Sequence, residues 1–118
     1  MTIVNHMPGV VRVYSADRPD GVDDLDQGLL HTFDPEPQAA QIDPMSLVTT
    51  VIDDDVAIEL VEFGHVDNLD SEREGVFHVV PLEVALSQRR RTDLLVPRQE
   101  VSTSDGTVIG YRTLAQPV

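Results

Sequence analysis

Five aspartates in one short stretch come nearest, in type and spacing, to residues that could bind a metal ion. They are Asp17, Asp20, Asp23, Asp24 and Asp26, and Gly and Pro residues lie among them. Loops rich in carboxylate oxygens can bind Ca²⁺ or Mg²⁺. However, the ordered D-x-D-x-D-G run and closing Glu of an EF-hand are missing. We therefore predict a solvated acidic loop, with ion binding as the weaker alternative.

The four histidines are the next residues that could do chemistry, and they are scattered along the chain. They are His6, His31, His65 and His78. None has the H-E-x-x-H or H-x-H spacing that is typical of zinc sites. Because His78 alternates with Phe77 and Val79, we expect it on the less buried face of a strand. An acid–base pair of His31 with Asp34 is a weaker alternative to two independent loop residues.

Other catalytic and cofactor signatures are missing from the sequence. The absence of Cys excludes disulfides, zinc thiolate sites and thiol catalysis. There is no G-x-S-x-G elbow for a serine nucleophile, and a phosphate-binding P-loop needs a Lys that the chain lacks. We therefore predict a protein that is not an enzyme and that has no cofactor.

Half of the cationic residues fall within one short segment. The chain has eight Arg and no Lys. The four arginines of this segment are Arg89, Arg90, Arg91 and Arg98. Such a concentration is typical of a helix C-terminus or of a contact surface. Together with the apolar residues Leu29, Leu30 and Phe33, they are our candidate interface residues.

Acidic residues outnumber basic ones by 21 to 8, which gives a net charge of −13. Adaptation to concentrated salt would explain this surface, because the Debye length falls from about 10 Å at 0.1 M to about 3 Å at 1 M. The codon bias of a GC-rich genome explains the absence of Lys equally well, and both explanations stay open. Such a surface repels anionic lipid and nucleic-acid phosphate, so we expect neither as a direct partner.

Residues 1–44 form the first of two predicted regions, an extended N-terminal arm or long loop with one short strand. The strand is the β-type run Val10–Tyr14, and from Asp17 to Pro44 apolar positions are few. Long loops without secondary structure are uncommon in a compact domain unless they are functional or disordered. We therefore expect something outside the arm's own small core to hold it.

Residues 45–118 form the second region, a compact β domain. Two β-rich runs, 47–52 and 56–63, flank three aspartates and predict a hairpin with a short charged loop. Asp105–Gly106 between two further β-type runs predicts a second hairpin with a two-residue turn. Residues 76–80 form another predicted strand.

One short helix is predicted from Leu82 to Arg91, directly after Pro81, which suits the first position of a helix. Its buried stripe would be Leu82, Ala85 and Leu86. Glu83 in its first turn and the arginines 89–91 in its last would complement the helix dipole.

The sequence thus predicts a mainly β fold, a small antiparallel β-sandwich or barrel-like domain with one short helix and an extended N-terminal arm. The expected function is a non-enzymatic structural protein of a larger assembly, such as a capsid decoration or head–tail junction protein of a virion. Its partners would be copies of itself or a shell protein. The alternative is an acidic decoy that mimics nucleic acid and binds a basic protein groove. Without a visible signal peptide or membrane-spanning run, we expect the protein in a virion or the cytoplasm.

Overall fold

The computed structural model describes residues 1–42, 47–62 and 66–117, with the side chains of residues 47, 48, 61 and 62 left out. This part of the chain contains ten strands and one short helix. In chain order they are β1 (Thr2–Asn5), β2 (Val11–Tyr14), β3 (Leu29–Phe33), β4 (Gln41–Ile42), β5 (Leu47–Asp53), β6 (Val56–Glu62), β7 (Val66–Asp67), β8 (Val76–Val79), α1 (Leu82–Ser87), β9 (Leu94–Ser102) and β10 (Val108–Ala115).

Six strands form one sheet in the order β1-β8-β9-β10-β2-β3. The pairs β9/β10 and β2/β3 are antiparallel, whereas β1/β8, β8/β9 and β10/β2 are parallel. A parallel bridge joins Asn5 to Pro35, and the Glu36 N–H donates to the Asn5 carbonyl over 2.9 Å. These contacts bring the two edge strands together and nearly close the sheet into a barrel. The prediction of a mainly β, barrel-like fold with one short helix is confirmed, and the sheet is mixed rather than purely antiparallel.

The N-terminal region differs from the expected arm, because it supplies three strands of the barrel instead of one. β2 confirms the predicted run, and β1 and β3 lie at the two edges of the sheet. β1 pairs in parallel with β8, more than seventy residues away, and such distant pairing leaves no local sequence signal. The predicted boundary at residue 44 lies outside the described residues.

The loop between β2 and β3 is held partly by two side chains of the N-terminal region itself, and bonds from Asp20 and Asp23 to the β9/β10 hairpin supply the expected contact outside its own core. The buried Arg18 guanidinium donates to the carbonyls of Gln27 and Val22 and lies 4.7 Å from the centroid of the Tyr14 ring. The Tyr14 hydroxyl donates to the Leu25 carbonyl over 2.8 Å. Hydrogen bonds to a charged donor and a cation–π contact therefore stabilise a loop that has little apolar core.

Helix α1 packs against β9 and is shorter than predicted. It ends at Ser87, whose hydroxyl donates to the Val84 carbonyl over 2.8 Å and so competes with the helical backbone. The three arginines 89–91 consequently follow the helix instead of forming its last turn. Val84 and Ala85 face the core, while Leu82 and Leu86 are exposed. The predicted buried stripe was therefore wrong except at Ala85.

The main apolar core lies between α1, β9 and the end of β8. Its buried residues are Ala40, Val80, Val84, Ala85, Leu94 and Val96. Ile42, Val66 and Leu69, at and beside the β4/β7 pair, pack against this cluster. The β4/β7 pair, which flanks β5 and β6 in the sequence, is thus packed against the barrel.

Both predicted hairpins are present. In β5/β6, Asp53 pairs with Val56, so the turn consists of Asp54 and Asp55 alone. Both have positive φ, at 50° and 63°, as a type I′ turn requires. The predicted two-residue turn at Asp105–Gly106 was wrong, because Ser102 pairs with Val108 and the five residues 103–107 form the loop between β9 and β10. The Thr103 N–H donates to the Thr107 carbonyl over 2.9 Å across this loop. Residue 63, the predicted end of β6, lies outside the described residues.

Candidate functional site

The β5/β6 hairpin presents an apolar face that nothing in the described chain covers. In the observed register Val51 lies opposite Ile58, and Leu60 and Val56 continue the same face because alternate residues of a strand share a side. All four side chains are exposed, Leu60 by 56% and Val56 by 58%. We call these four residues the hairpin face. Ile52, Ala57 and Glu59 lie on the opposite side.

The hairpin extends away from the barrel. Within the described residues, β5 and β6 make extensive contacts only with each other. The radius of gyration is 17.0 Å, against about 13.5 Å for a compact chain of this length. Soluble single domains seldom expose a contiguous apolar patch without an interaction to cover it. The hairpin face is therefore the principal candidate interaction site.

A second apolar surface lies at the far end of the β9/β10 pair. It is a groove of about 660 Å³ between the start of α1, the middle of β9 and the end of β10. Its apolar lining comes from Leu82, Val96, Pro97, Tyr111, Ala115 and Pro117. Arg98 also lines this groove, which places one predicted interface residue beside an apolar surface. We call this surface the β9/β10 groove.

The predicted interface arginines divide into two kinds. Arg91 is engaged within the chain, because its guanidinium donates two hydrogen bonds to Asp93, at 2.9 and 2.6 Å. Arg89, Arg90 and Arg98 are exposed, and they form no ion pair with any residue that the structure describes. These three remain available as cationic contacts around the end of α1 and the β9/β10 groove.

The predicted apolar interface residues lie on the edge strand β3. Leu30 is 59% exposed, whereas Leu29 and Phe33 are half-buried. Phe33 stacks on His31 with ring centroids 5.8 Å apart, so in the described structure His31 contacts a ring of its own strand. β3 is thus a smaller apolar surface than the hairpin face, and the structure does not bring it together with the arginines.

The acidic loop is attached to the β9/β10 hairpin through its carboxylates. Asp20 accepts hydrogen bonds from the Ser102 N–H over 3.2 Å and from the Arg112 guanidinium over 3.0 Å. Asp23 accepts from the N–H and the hydroxyl of Ser104, at 2.9 and 2.8 Å. These bonds lower the pKa of both carboxyl groups. Two of the predicted metal-ligating residues are therefore hydrogen-bond acceptors that fasten a loop.

The other aspartates of this loop bond locally. Asp17 accepts from the Ser15 hydroxyl, and Asp24 accepts from the Asp26 N–H over 3.0 Å. Among the residues that the structure places, the five aspartates form no common cluster of ligand atoms.

We expect the stability that the 103–107 loop contributes to depend on acid pH. Hydrogen bonds from Thr103 and Thr107 lower the pKa of Asp105 to about 2, while the unfolded value is about 3.9. A carboxyl group whose folded pKa is depressed contributes stability above pH 4, and this contribution is lost as the pH falls toward 2. We therefore expect Asp105→Asn to unfold at a lower urea midpoint than the parent chain at pH 6. Near pH 2 this difference between the two midpoints should disappear.

The control for this measurement is Glu74→Gln, which removes one charge from an exposed loop. An Asp105→Asn deficit that is the same at pH 6 and pH 2 would contradict the assignment.

Buried polar side chains contact one another in a row beside the β1/β8 pair. His6 Nε2 and His78 Nδ1 lie 2.9 Å apart, and His78 Nε2 lies 3.5 Å from the Asp93 carboxylate that Arg91 holds. The exposed fraction of His78 is 0%, so the prediction of a less buried face was wrong. The cause is that side chains from distant segments cover this side of β8, with His6 after β1 and Asp93 before β9 lying against the imidazole.

These contacts set the ionisation of two groups. Burial and the neighbouring His6 lower the pKa of His78, although Asp93 opposes them. Burial alone would raise the pKa of Asp93, but the hydrogen bonds and charge of Arg91 outweigh it and the net direction is downward. The cluster therefore combines neutral imidazole with an ionised carboxylate. His65 lies outside the described residues.

Comparisons with protein-family models, with curated proteins and with solved structures find no match to this chain. No helix in the described ranges has both the length and the apolar character needed to cross a bilayer. The surfaces and side chains of the chain itself are therefore the basis for its function.

Proposed function

We propose that this protein is a non-enzymatic structural subunit that assembles with copies of itself. The observation that carries the proposal is the exposed hairpin face of Val51, Val56, Ile58 and Leu60. In the assembly this face lies in the β9/β10 groove of a neighbouring copy. Because donor and acceptor surfaces differ, the contact is heterologous and builds rings or filaments.

Charge complementarity supports a second copy as the partner. The hairpin ends in three aspartates, Asp53–Asp55, which are exposed. The receiving groove has Arg98 and one acid, Glu100, in its wall, and the further cations Arg89 and Arg90 follow the helix that begins beside it. Apolar contact supplies affinity in such an interface, and opposite charges at its rim fix the register.

Salt should strengthen this assembly. Each copy carries a net charge of −13, so copies repel one another in dilute buffer. At about 1 M KCl the Debye length is about 3 Å, which removes this long-range repulsion, whereas the apolar contact persists. A virion of a halophilic system is the setting that would suit this behaviour, as a shell decoration or head–tail junction; a cytoplasmic assembly is the other location.

The experiment measures sedimentation velocity from 0.1 to 3 M KCl on the full chain and on two matched variants. Ile58→Thr/Leu60→Thr polarises the hairpin face, and Ile52→Thr/Ala57→Thr changes the opposite side. Threonine retains strand propensity in both. We expect the first variant to bind its neighbour at least about tenfold more weakly, because burial of a branched side chain contributes about 1.5–3 kcal/mol. The second variant should assemble like the parent chain.

The charged tip has its own variant, Asp54→Asn/Asp55→Gly. Asn–Gly is a favoured type I′ turn, so the hairpin keeps its shape while two charges are removed. At about 1 M KCl, where long-range repulsion between copies is already screened, weaker assembly in this variant is the expected result. A parent chain that stays monomeric throughout the salt range, or equal assembly by both threonine variants, would overturn the proposal.

An acidic decoy for a basic protein groove is the alternative function. Asp20 and Asp23 are engaged in hydrogen bonds to the β9/β10 hairpin, which favours a structural role for the acidic loop over a displayed array of charges. A folded monomer that competes with DNA for a basic protein at physiological salt would move the decoy ahead of the assembly.

A further inference from the structure

Three possible metal-ligand atoms converge at one end of the β1/β8 pair. His6 Nε2 lies 2.9 Å from His78 Nδ1 and 3.9 Å from an Asp70 carboxylate oxygen. One ligand atom from each of these three side chains falls within a mutual distance of 4.8 Å. It is the one such group among the described residues.

The backbone fixes both imidazoles. His78 lies in β8 and its N–H donates to the Asp93 carbonyl over 2.8 Å, while the His6 N–H donates to the Val79 carbonyl over 2.9 Å. Their relative position therefore follows from the strand pairing. Asp70 lies in the loop after β7, and its side chain is 58% exposed, so it can adjust to complete a coordination sphere.

The separations suit a small ion with nitrogen and oxygen ligands. Zn²⁺ binds imidazole nitrogen at about 2.0–2.1 Å and carboxylate oxygen at about 2.0–2.2 Å, in a tetrahedron. Neighbouring ligand atoms are then about 3.4 Å apart. The distances from His6 Nε2 to His78 Nδ1 and to the Asp70 carboxylate, 2.9 and 3.9 Å, lie on either side of that value. Small side-chain rotations would bring both into range.

The surroundings of His78 supply the second, independent observation. Its Nε2 is buried without a hydrogen-bond partner and faces Asp93 at 3.5 Å. When Nδ1 of an imidazole ligates a metal, Nε2 carries the proton, and a carboxylate beyond the ligand accepts it in many metal sites. Asp93 is placed for this role, because two hydrogen bonds from Arg91 hold its carboxylate.

The cluster also has an approach from solvent. His6 and Asp70 line a cavity of about 570 Å³, together with Glu36, Gln41 and Asn68. Three protein ligands beside an open cavity leave a fourth position for water or for a ligand atom of a partner.

We propose that His6 Nε2, His78 Nδ1 and the Asp70 carboxylate bind one divalent transition metal ion, with Zn²⁺ as the preferred ion. Imidazole with carboxylate favours Zn²⁺ over Mg²⁺ and Ca²⁺, which prefer oxygen ligands alone. This site would replace the expectation, drawn from the scattered spacing of the histidines, that the protein has no zinc site and no cofactor. It does not depend on the proposed self-assembly.

The first test titrates the full chain with Co²⁺ and Zn²⁺ in 0.5 M KCl, which weakens non-specific binding to surface carboxylates. We expect one saturable site, a visible Co²⁺ spectrum of a four-coordinate ion, and its loss on addition of Zn²⁺. On addition of Zn²⁺ alone, the nitrogen-15 chemical shifts of His6 Nε2 and His78 Nδ1 should change, and those of His31 should not. A spectrum of six-coordinate Co²⁺ with unchanged histidine shifts would overturn the proposal.

The second test compares Asp70→Asn with Glu36→Gln. Both remove one carboxylate from the same cavity, and only Asp70 belongs to the proposed ligand set. Loss of a partner beyond the ligands alone lowers metal affinity about 10- to 100-fold, so we expect at least a tenfold loss for Asp70→Asn. Glu36→Gln should bind Zn²⁺ like the parent chain. Equal affinities for both variants would contradict the assignment, and neither exposed substitution threatens the fold.

Discussion

Replacing Gly110 by alanine is expected to lower the free energy of unfolding by about 3 kcal/mol or more. A Cβ atom at this position would lie 2.6 Å from the Arg12 carbonyl oxygen and 2.6 Å from Cε2 of the Tyr14 ring. Real Cβ atoms do not approach so closely, so β10 would have to move away from β2. Glycine is needed here for the close approach of two strands.

Neither Arg12 nor Tyr14 can move aside without a loss of stability. The Arg12 oxygen belongs to the backbone of β2, and Tyr14 is fully buried with its hydroxyl bonded to Leu25 and its ring beneath Arg18. Displacing Tyr14 would therefore release the loop that follows β2. Overpacking of a core costs about 1–3 kcal/mol and more where relaxation is blocked.

Urea unfolding monitored by circular dichroism at a fixed KCl concentration measures this effect. Gly9→Ala is the matched control, because its Cβ would meet nothing within 4 Å and an exposed substitution typically changes stability by less than about 0.5 kcal/mol. Gly110→Ala with the same unfolding midpoint as Gly9→Ala would refute the described β10/β2 packing.

Asp93→Asn is the second substitution with a large expected effect, a loss of about 3 kcal/mol in the free energy of unfolding. The Asp93 side chain is 9% exposed, and its two carboxylate oxygens each accept one hydrogen bond from the Arg91 guanidinium. An amide can accept one of them, and its NH₂ group would point a donor at another donor. Arg91 would then lie in a largely buried site without its counter-charge.

Glu72→Gln supplies the control for this prediction. Glu72 also approaches Arg91, at 3.7 Å, but its side chain is 52% exposed, and exposed ion pairs contribute about 0–1 kcal/mol. Urea unfolding of the two variants should therefore separate clearly. Equal midpoints would show that Asp93 contributes no more than a surface charge.

The elements that could be predicted from the sequence are those whose contacts are local. The β5/β6 hairpin is indicated by β-branched residues on both sides of Asp54–Asp55, and the register follows from the turn itself. Strands β2 and β8 are apolar runs that end near Pro or polar loops. Each of these sequence patterns spans at most about twenty residues. Turn residues and alternation of apolar residues act over distances of this kind.

Barrel closure could not be predicted in this way. β1 is only Thr2–Asn5, and its pairing with β8 depends on residues more than seventy positions away. That pairing buries His78 and places it beside His6. Alternation within a strand assigns one buried face, and it does not register distant side chains, such as His6 and Asp93, that cover the other face. The proposed metal ligands were missed for the same reason.

The ordering of the acidic loop could not be predicted from apolar positions, because the residue that stabilises it is polar. Arg18 is buried and bonds to two loop carbonyls, so the loop is ordered without apolar positions. The sequence signal for this loop contact was a single residue, Arg18, which lies four positions after Tyr14 at the end of β2. The helix stripe failed for a related reason, since a six-residue helix takes its buried face from the strands around it.

The most direct test of the head-to-tail assembly mixes two defective chains and measures their mass by sedimentation velocity in high KCl. One is Ile58→Thr/Leu60→Thr, which has a defective hairpin face and an intact groove. The other is Leu82→Glu/Ala115→Glu, which has a defective groove and an intact hairpin; an acid in the first helical turn suits α1. Each alone should be monomeric, and the mixture should form dimers that grow no further. A mixture that stays monomeric while the parent chain assembles would contradict the head-to-tail contact.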